Sequence, residues 1–506
     1  MKKNLIDQFV EFIAPGRAVE RYRNRLLLDR FPRKQSKRRY EGAGKGRRTD
    51  DWHTPSTSAN SEINASLKWL RQRSRALIRD NPYARNTAYR VIPNNVIGTG
   101  IIPTPKISGK SNQKFNDKLK DAWDSWAGTI TCDFDERNTF YGIQLLVMKA
   151  IVESGEVFVR RVRTKSNKYM PLEVQVLESD FLDTTKTDFK IGSGFLGEGN
   201  YYGIQFDKNG KRKGYWMYTS HPGEFGSTSE LVPAEDIIHL YEMERPGQIR
   251  GVPFNCATIL RLRDLDKFED SELVRQMVAA SFAVFKTKDG TGEDESGRTP
   301  GIEHIEPGTI TDLLPGEDIT FAQPPVTQSY ESYTKGVLRS ISAGNGVTYE
   351  AMTGDLSNVN FSSGRMGWVE FRLNVTNWQW NLIIPHLCDR VYGWFTEAAS
   401  LRGVIPIGTM APVSWTPPRR EMLDPYKEIQ AVKEQLRAGL ISWQEVVKQF
   451  GFIPSELEEE LKKDAEMWDK MGLKPTIDAR YDSNRPPGEP DPNLMNDEQN
   501  TKGKAQ

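Results

Sequence analysis

Cysteine is scarce in this 506-residue chain: Cys132, Cys256 and Cys388 are odd in number, far apart and never in a C-x-x-C pair. That excludes a disulfide framework and a cysteine-based zinc site, and it fits synthesis in a reducing, intracellular place. Long apolar runs are also missing. None approaches the roughly 18 residues that span a bilayer. The longest, 277–285 (MVAASFAVF), reads as part of a buried helix face. The opening MKKNLIDQFVEFIAPG alternates charged and apolar residues, so it lacks the apolar core of a signal peptide. No charge sign dominates either. The 69 basic and 68 acidic side chains leave a net charge of +1, so the whole-molecule charge argues neither for nor against nucleic acid.

Catalytic signatures are equally thin. His53, His221, His239, His304 and His386 are isolated, with no H-E-x-x-H or H-x-H spacing. His386 follows Pro385 in an aromatic stretch and reads as a packed core histidine rather than a ligand. The Gly-Lys-Ser at 109–111 has Thr104 where a phosphate-binding loop needs its first glycine. Gly192, Gly194 and Gly197 spell G-x-G-x-x-G, a fingerprint that must open a helix whose amides bind pyrophosphate. Here 198–207 continues as turn and strand. No G-x-S-x-G elbow occurs, and Glu293, Asp294 and Glu295 lack the apolar surroundings that raise a carboxyl pKa. The chain therefore reads as non-enzymatic, with no metal or cofactor.

The patterned content lies elsewhere. Residues 1–55 are rich in arginine and lysine and, after Leu28, poor in apolar residues, which suits a mobile arm. Such an arm either contacts nucleic acid or an acidic partner, or is simply a solvated tail. A helix begins at 58–60, with Ile63, Leu67, Leu70, Leu77 and Ile78 on one face and Lys68, Arg71, Arg75 and Arg79 on the other. A second covers 83–91 and is stopped by Pro93. Helices at 115–126 and 141–154 come next, the latter closed by Gly155. The period then shifts to two, predicting strands at 156–162, 172–177, 202–206, 215–219 and 237–240 with a hairpin turn at Asn209-Gly210.

The proline-free run 254–286 predicts one helix about 50 Å long, with a narrow apolar stripe suited to packing against equivalent helices. Residues 289–318 are acidic, with Arg298 the single cation and short strands expected at 309–314 and 319–321. Helix returns over 329–344. Residues 366–400 read as an aromatic helix that Pro385 should kink, since its ring removes one internal hydrogen bond. Three capped helices fill 422–472: Asp424-Pro425 caps one, and Ser442-x-x-Glu445 and Ser455-x-x-Glu458 are capping boxes. The remainder, 476–506, has the composition of a disordered tail.

Several strings resemble the lambda-type portal family of tailed bacteriophages. They are SANSEINASLKWLRQRSRALIRDNPYA (58–84), VESGEVFVRR (152–161), RGVPFNCATILRLRDLDKFEDSELV (250–274), PGTITDLLPGEDITFAQP (307–324), NGVTYEAMTGDLSNVNFSSGR (345–365) and VSWTPPRREMLDPYKEIQA (413–431). The resemblance covers about 55–475. It implies an α+β, multidomain and helix-rich portal fold, laid out as a basic arm (1–55), a mixed α/β wing (56–252), a first stem helix (253–288) and a clip (289–326). A second stem helix (327–348), a tunnel-loop region (349–365), a kinked helix returning to the wing (366–412), a helical crown (413–475) and the tail (476–506) complete it.

The same resemblance implies a ring of about twelve copies at one capsid vertex. Such a ring helps initiate shell assembly with the major capsid and scaffold proteins, docks the terminase large subunit, conducts double-stranded DNA without sequence specificity, and holds the head-tail connector or adaptor. The virion is the implied location, after synthesis in the host cytoplasm, and no membrane is involved. Asp355, Leu356, Ser357, Asn358, Val359, Asn360, Phe361, Ser362 and Ser363 would form the DNA-facing tunnel loop, the alternative being an ordinary helix–helix connection. Glu293, Asp294, Glu295, Glu303 and Glu306 would form an acidic clip face that repels phosphate or docks partners, unless they are plain solvated surface. A competing reading is another capsid-associated structural protein, an adaptor or minor head protein.

Overall fold

In a computed structural model, residues 59–475 are described apart from 108–112, 165–166, 168, 189–197, 225, 227, 281–283, 289–316, 322–329, 358, 420, 423 and 474, together with scattered positions before 59. Residues 1–58 and 59–506 are separate units, and the second contains every element named below. The basic arm, the Gly-rich 192–197 motif, the acidic residues 293–306, the strand expected at 309–314 and the tail fall wholly or almost wholly outside the described residues.

Helix α1 (Ala59–Asp80) buries Ala59, Leu67 and Ile78 as its apolar spacing dictates. Arg71, expected on the wet face, is also buried. Asn81 caps α2 (Pro82–Asn86) by accepting from the Ala84 amide, with Pro82 at the first helical position. Pro93 does not stop the helical path. A π turn (Thr87–Val91) intervenes, in which the Ile92 amide reaches back five residues to Thr87, and it leads into α3 (Ile92–Val96). Pro93 falls just past that widened turn, which leaves room for its ring and its missing amide.

α4 (Gln113–Ala127) and α5 (Phe140–Ser154) enclose the largest apolar side chains. Gly155 ends α5 in the left-handed region, φ 85°, and a Cβ there would run into the Val252 and Pro253 backbone. β2 (Glu156–Val162) begins at once, as the alternation predicted, between β3 (Glu173–Leu177) and β8 (Ile237–Tyr241), both antiparallel to it. A separate meander runs β4 (Gly199–Tyr201), β5 (Ile204–Phe206), β6 (Arg212–Tyr218) and β7 (Ser229–Pro233). Tyr202 and Gly203, both at positive φ, make the two-residue turn that joins β4 to β5. The meander shares a small second core with the three-stranded sheet around Phe158, Ile204 and Met217.

The long helix is shorter than its composition suggested. α6 (Ile259–Ala280) is 22 residues, about 33 Å, and 284–288 is instead a strand, β9 (Val284–Lys288), paired with β10 (Glu317–Phe321). Val284, Phe285 and Thr287 are strand formers, and absence of proline alone did not make them helical. Met277 is exposed, not part of a buried face. The inner end of α6 buries Ile259, Leu262 and Leu265, while Leu273, Val274 and Met277 at its far end face outward.

α7 (Tyr330–Gly344) returns to the core, and α8 (Tyr349–Thr353) comes directly after it. The aromatic helix runs on without a gap in three parts: α9 (Phe361–Asn377), a π segment (Trp378–Cys388) containing Pro385, and α10 (Asp389–Leu401). The widened turns absorb the amide that Pro385 lacks. They also turn His386 outward, so it is exposed and not a core histidine as its neighbours suggested. Trp123 sits at the centre of the core with ring centroids 4.9 Å from Phe395, 5.2 Å from Phe140, 5.3 Å from Trp126 and 5.6 Å from Tyr392. β1 (Ile102–Pro105) pairs antiparallel with β11 (Val413–Thr416), closing the chain on itself. α11 (Pro425–Arg437), α12 (Trp443–Gln449) and α13 (Pro454–Met471) end the described chain. Asp424 and Ser442 cap the first two as expected, but Ser455 caps nothing. Pro454 takes the first helical position of α13 and moves the cap to Ile453.

Candidate functional site

The segment between α8 and α9 is held at both shoulders. Thr348 caps α8 by accepting from the Ala351 amide, and Met352 anchors α8 in the core. The Asn86 side-chain amide donates to the Ala351 and Met352 carbonyls at 3.1 and 2.9 Å. Gly354 turns the chain through φ 75°. Asp355 then accepts from the Tyr349 hydroxyl at 2.9 Å and from both the Ser357 amide and hydroxyl at 3.0 and 2.6 Å. Those bonds, the Ser357 hydroxyl first, pull the Asp355 carboxyl down to about 2. Lys335 lies 3.7 Å away.

The far shoulder differs from expectation. Asn360 is an N-cap: its side chain accepts from the Ser363 amide at 2.8 Å. Phe361, Ser362 and Ser363 are therefore the first turn of α9, and the irregular stretch is 355–360 only. Leu356 is 68% exposed, with Ser357 and Asn360 exposed near it and Val359 half-buried. Along α9 and the π segment, Met366, Val369, Leu373 and Trp380 are exposed at helical spacing, opposite the buried Phe371 and Val375.

A second constellation escaped sequence reasoning altogether. Glu156, the first residue of β2, is wholly buried and binds Arg71, the Arg250 guanidinium (Nε at 2.9 Å), the Gly251 amide (2.8 Å) and His239 Nε2 (3.1 Å). Burial alone would raise this carboxyl; Arg250 and Arg71 more than reverse that and hold it well below the usual carboxylate range. His239, stacked on Phe158 at 4.4 Å, is pushed down to about 4 by burial, only partly offset by Glu156. A neutral His239 must donate from Nε2, which leaves Nδ1 as a buried acceptor without a partner. The cluster pins the chain just before α6 to α1 and to the central sheet. No spacing rule links positions 71, 156, 239 and 250, so only the fold could reveal it.

The cluster makes a pH prediction. Because the folded pKa of His239 lies below its ordinary 6.5, the unfolded chain takes up the proton first. Stability should be level above pH 6.5 and fall as pH drops from 6.5 to about 4. Denaturant midpoints across that window check it, and His239→Gln, which keeps an N–H for Glu156, should flatten the fall.

Among the described residues, one group could bring metal-ligand atoms together: Glu178, Asp180 and His221 lie within 4.8 Å of one another. Arg75 already holds both carboxylates, so the geometry is that of an ion pair.

Residues 45–379 match the family described as phage portal protein, lambda family. The chain is similar to a probable portal protein of Halomonas phage phiHAP-1, 27% identical over 466 residues, covering 86% of this chain and 88% of that one. It is also similar to portal protein B of Escherichia phage lambda, 20% identical, with 80% and 84% covered. A solved neck of a native gene transfer agent particle covers 77% of this chain and 94% of its own at 13% identity, with a TM-score of 0.46. The family match spans well over half the sequence, and with it the strings around Glu156 and the 355–360 loop: this chain belongs to the lambda family of phage portal proteins, a subunit of the phage capsid's portal and a component of the virion.

Proposed function

We propose that about twelve copies of this chain close into a ring whose channel conducts double-stranded DNA into the capsid and out again, with the 355–360 loops touching the duplex. The observation that carries this reading is a mostly polar loop fixed at both shoulders, at the head of a helix whose outward apolar stripe is exposed among the described residues. Contiguous exposed apolar stripes mark association surfaces, and the outer end of α6 offers a second. Copies of the same chain fit both. A ring of short polar tips can touch a duplex without reading bases, because readout needs side chains set into a groove.

In this reading 56–252 is the wing, 253–288 and 327–348 the two stem segments, 289–326 the clip, 349–365 the tunnel region, 366–412 the kinked helix with its return, and 413–475 the crown. The terminase large subunit supplies the energy for translocation, the head-tail connector docks from outside, and scaffold and major capsid proteins grow from the ring. The chain itself performs no catalysis, is made in the host cytoplasm, and Glu293, Asp294, Glu295, Glu303 and Glu306 face the docking partners.

Particle imaging of the purified chain tests the ring: closed rings with a duplex-wide channel are expected, and persistent monomers across assembly conditions would sink the reading. Deleting Leu356, Ser357, Asn358 and Val359 removes the tip but spares Tyr349, Asp355 and Asn360, the residues of the two shoulders. Rings should survive while packaged DNA is lost or poorly retained. Failure of ring formation in that variant would make the loop an assembly element instead.

A further inference from the structure

Beside the π turn between α2 and α3 lies a groove of about 640 Å³, walled on its other side by α5. Arg85, Arg90 and Lys149 line it, with Tyr89 and the exposed Leu146 between them. Each carboxylate on its walls has a partner, though Glu153 keeps its charge because its partner is a neutral hydroxyl. Glu153 accepts from the Tyr89 hydroxyl at 2.8 Å, Glu178 pairs with Arg75 at 3.3 Å, and Glu156 is the buried group held by Arg71 and Arg250. Among the described residues none of the three cations has an ion-pair partner. Arg85 only lies over the Tyr89 ring, 5.5 Å from its centroid.

The backbone gathers these charges. Residues five apart on an α-helix point to diverging faces, whereas a turn closed by a bond five residues back brings Arg85 and Arg90 toward one edge. The same segment carries Asn86, whose amide holds the shoulder of the 355–360 loop.

We propose that this groove binds the phosphodiester backbone of double-stranded DNA, a holding surface on elements distinct from the channel loop. It rests on the reading that the chain handles DNA. Three cations without ion-pair partners among the described residues, along one open groove, suit phosphates, which need charge and shape but no base contact. An acidic polypeptide would meet the same charges, and comparison with polyglutamate separates it from a duplex.

The test uses the full chain and a short random-sequence duplex, with binding read by anisotropy over a series of salt concentrations. Arg85→Gln, Arg90→Gln and Lys149→Gln together should flatten the slope of log K against log salt by about 2–3, roughly 0.9 per phosphate contact. Affinity at low salt should fall at least about tenfold. Changing Lys433, Lys462 and Lys463 to glutamine should leave both alone. An unchanged slope in the groove variant overturns the proposal. So does a variant that loses binding to polyglutamate while keeping the duplex, which would make the groove a seat for an acidic protein. If the native chain forms rings but binds no duplex outside packaging, this site falls and the portal reading stands. If the groove variant loses its rings, the cations serve assembly and the proposal fails.

Discussion

Glu156→Ala is expected to destabilise the protein by about 3–5 kcal/mol, because it strands Arg71 and Arg250 as buried charges without a counter-ion. Both guanidinia sit in the interior with the carboxylate between them. The urea midpoint should fall by roughly 1–2 M for a slope near 3 kcal/mol/M. A midpoint within about 0.3 M of the native protein would mean the arginines reach water instead. Replacing Glu156, Arg71 and Arg250 together with apolar residues should restore part of the loss, since a well-packed apolar cluster can match a buried ion pair. Because Arg250 and Gly251 lead into α6, the single variant should also loosen that helix at its base. Faster amide exchange at the start of α6 would report this.

Trp123→Ala should cost a similar amount, about 3–5 kcal/mol, through loss of buried surface and the cavity left behind. The ring is 1% exposed and meets Trp126, Phe140, Tyr392, Phe395 and Trp415 at once. It therefore joins α4 and α5 to α10 and β11, elements far apart in sequence. Trp123→Phe keeps an aromatic centre and should cost markedly less. Thermal unfolding distinguishes the pair, and equal losses for both variants would show that the site collapses around either residue.

The outcome for each element depends on whether its cause is local. β2 was legible to the residue, because Gly155 stops a helix and the alternation after it has no competing reading. The caps at Asp424 and Ser442 were legible for the same reason. β1 was not: Pro103 and Pro105 argue against a strand, and only pairing with β11 makes one. Both π segments were hidden, since no residue type marks a fifth-residue hydrogen bond, and with them went the true course past Pro93 and the outward turn of His386. At the candidate site, polarity marked 355–363 as one loop, but Asn360 acts as a cap and gives its last three residues to α9. The Glu156 cluster was unreadable because its members meet only after folding. Arg71 looked like surface on a helical wheel.

The β1–β11 ladder carries a consequence for how the chain is made. Pro105 pairs with Val413, so about 300 residues must leave the ribosome before β1 has its neighbour. At typical synthesis speeds of roughly 5–20 residues per second that is some 15–60 s. An unpaired strand edge in a crowded cytoplasm invites wrong partners. The two prolines of β1 remove backbone donors from that edge, so the segment least able to recruit a stray strand is the one that waits longest for its own. A nascent chain interrupted before β11 would thus remain unfinished at its core yet poorly equipped to aggregate through β1.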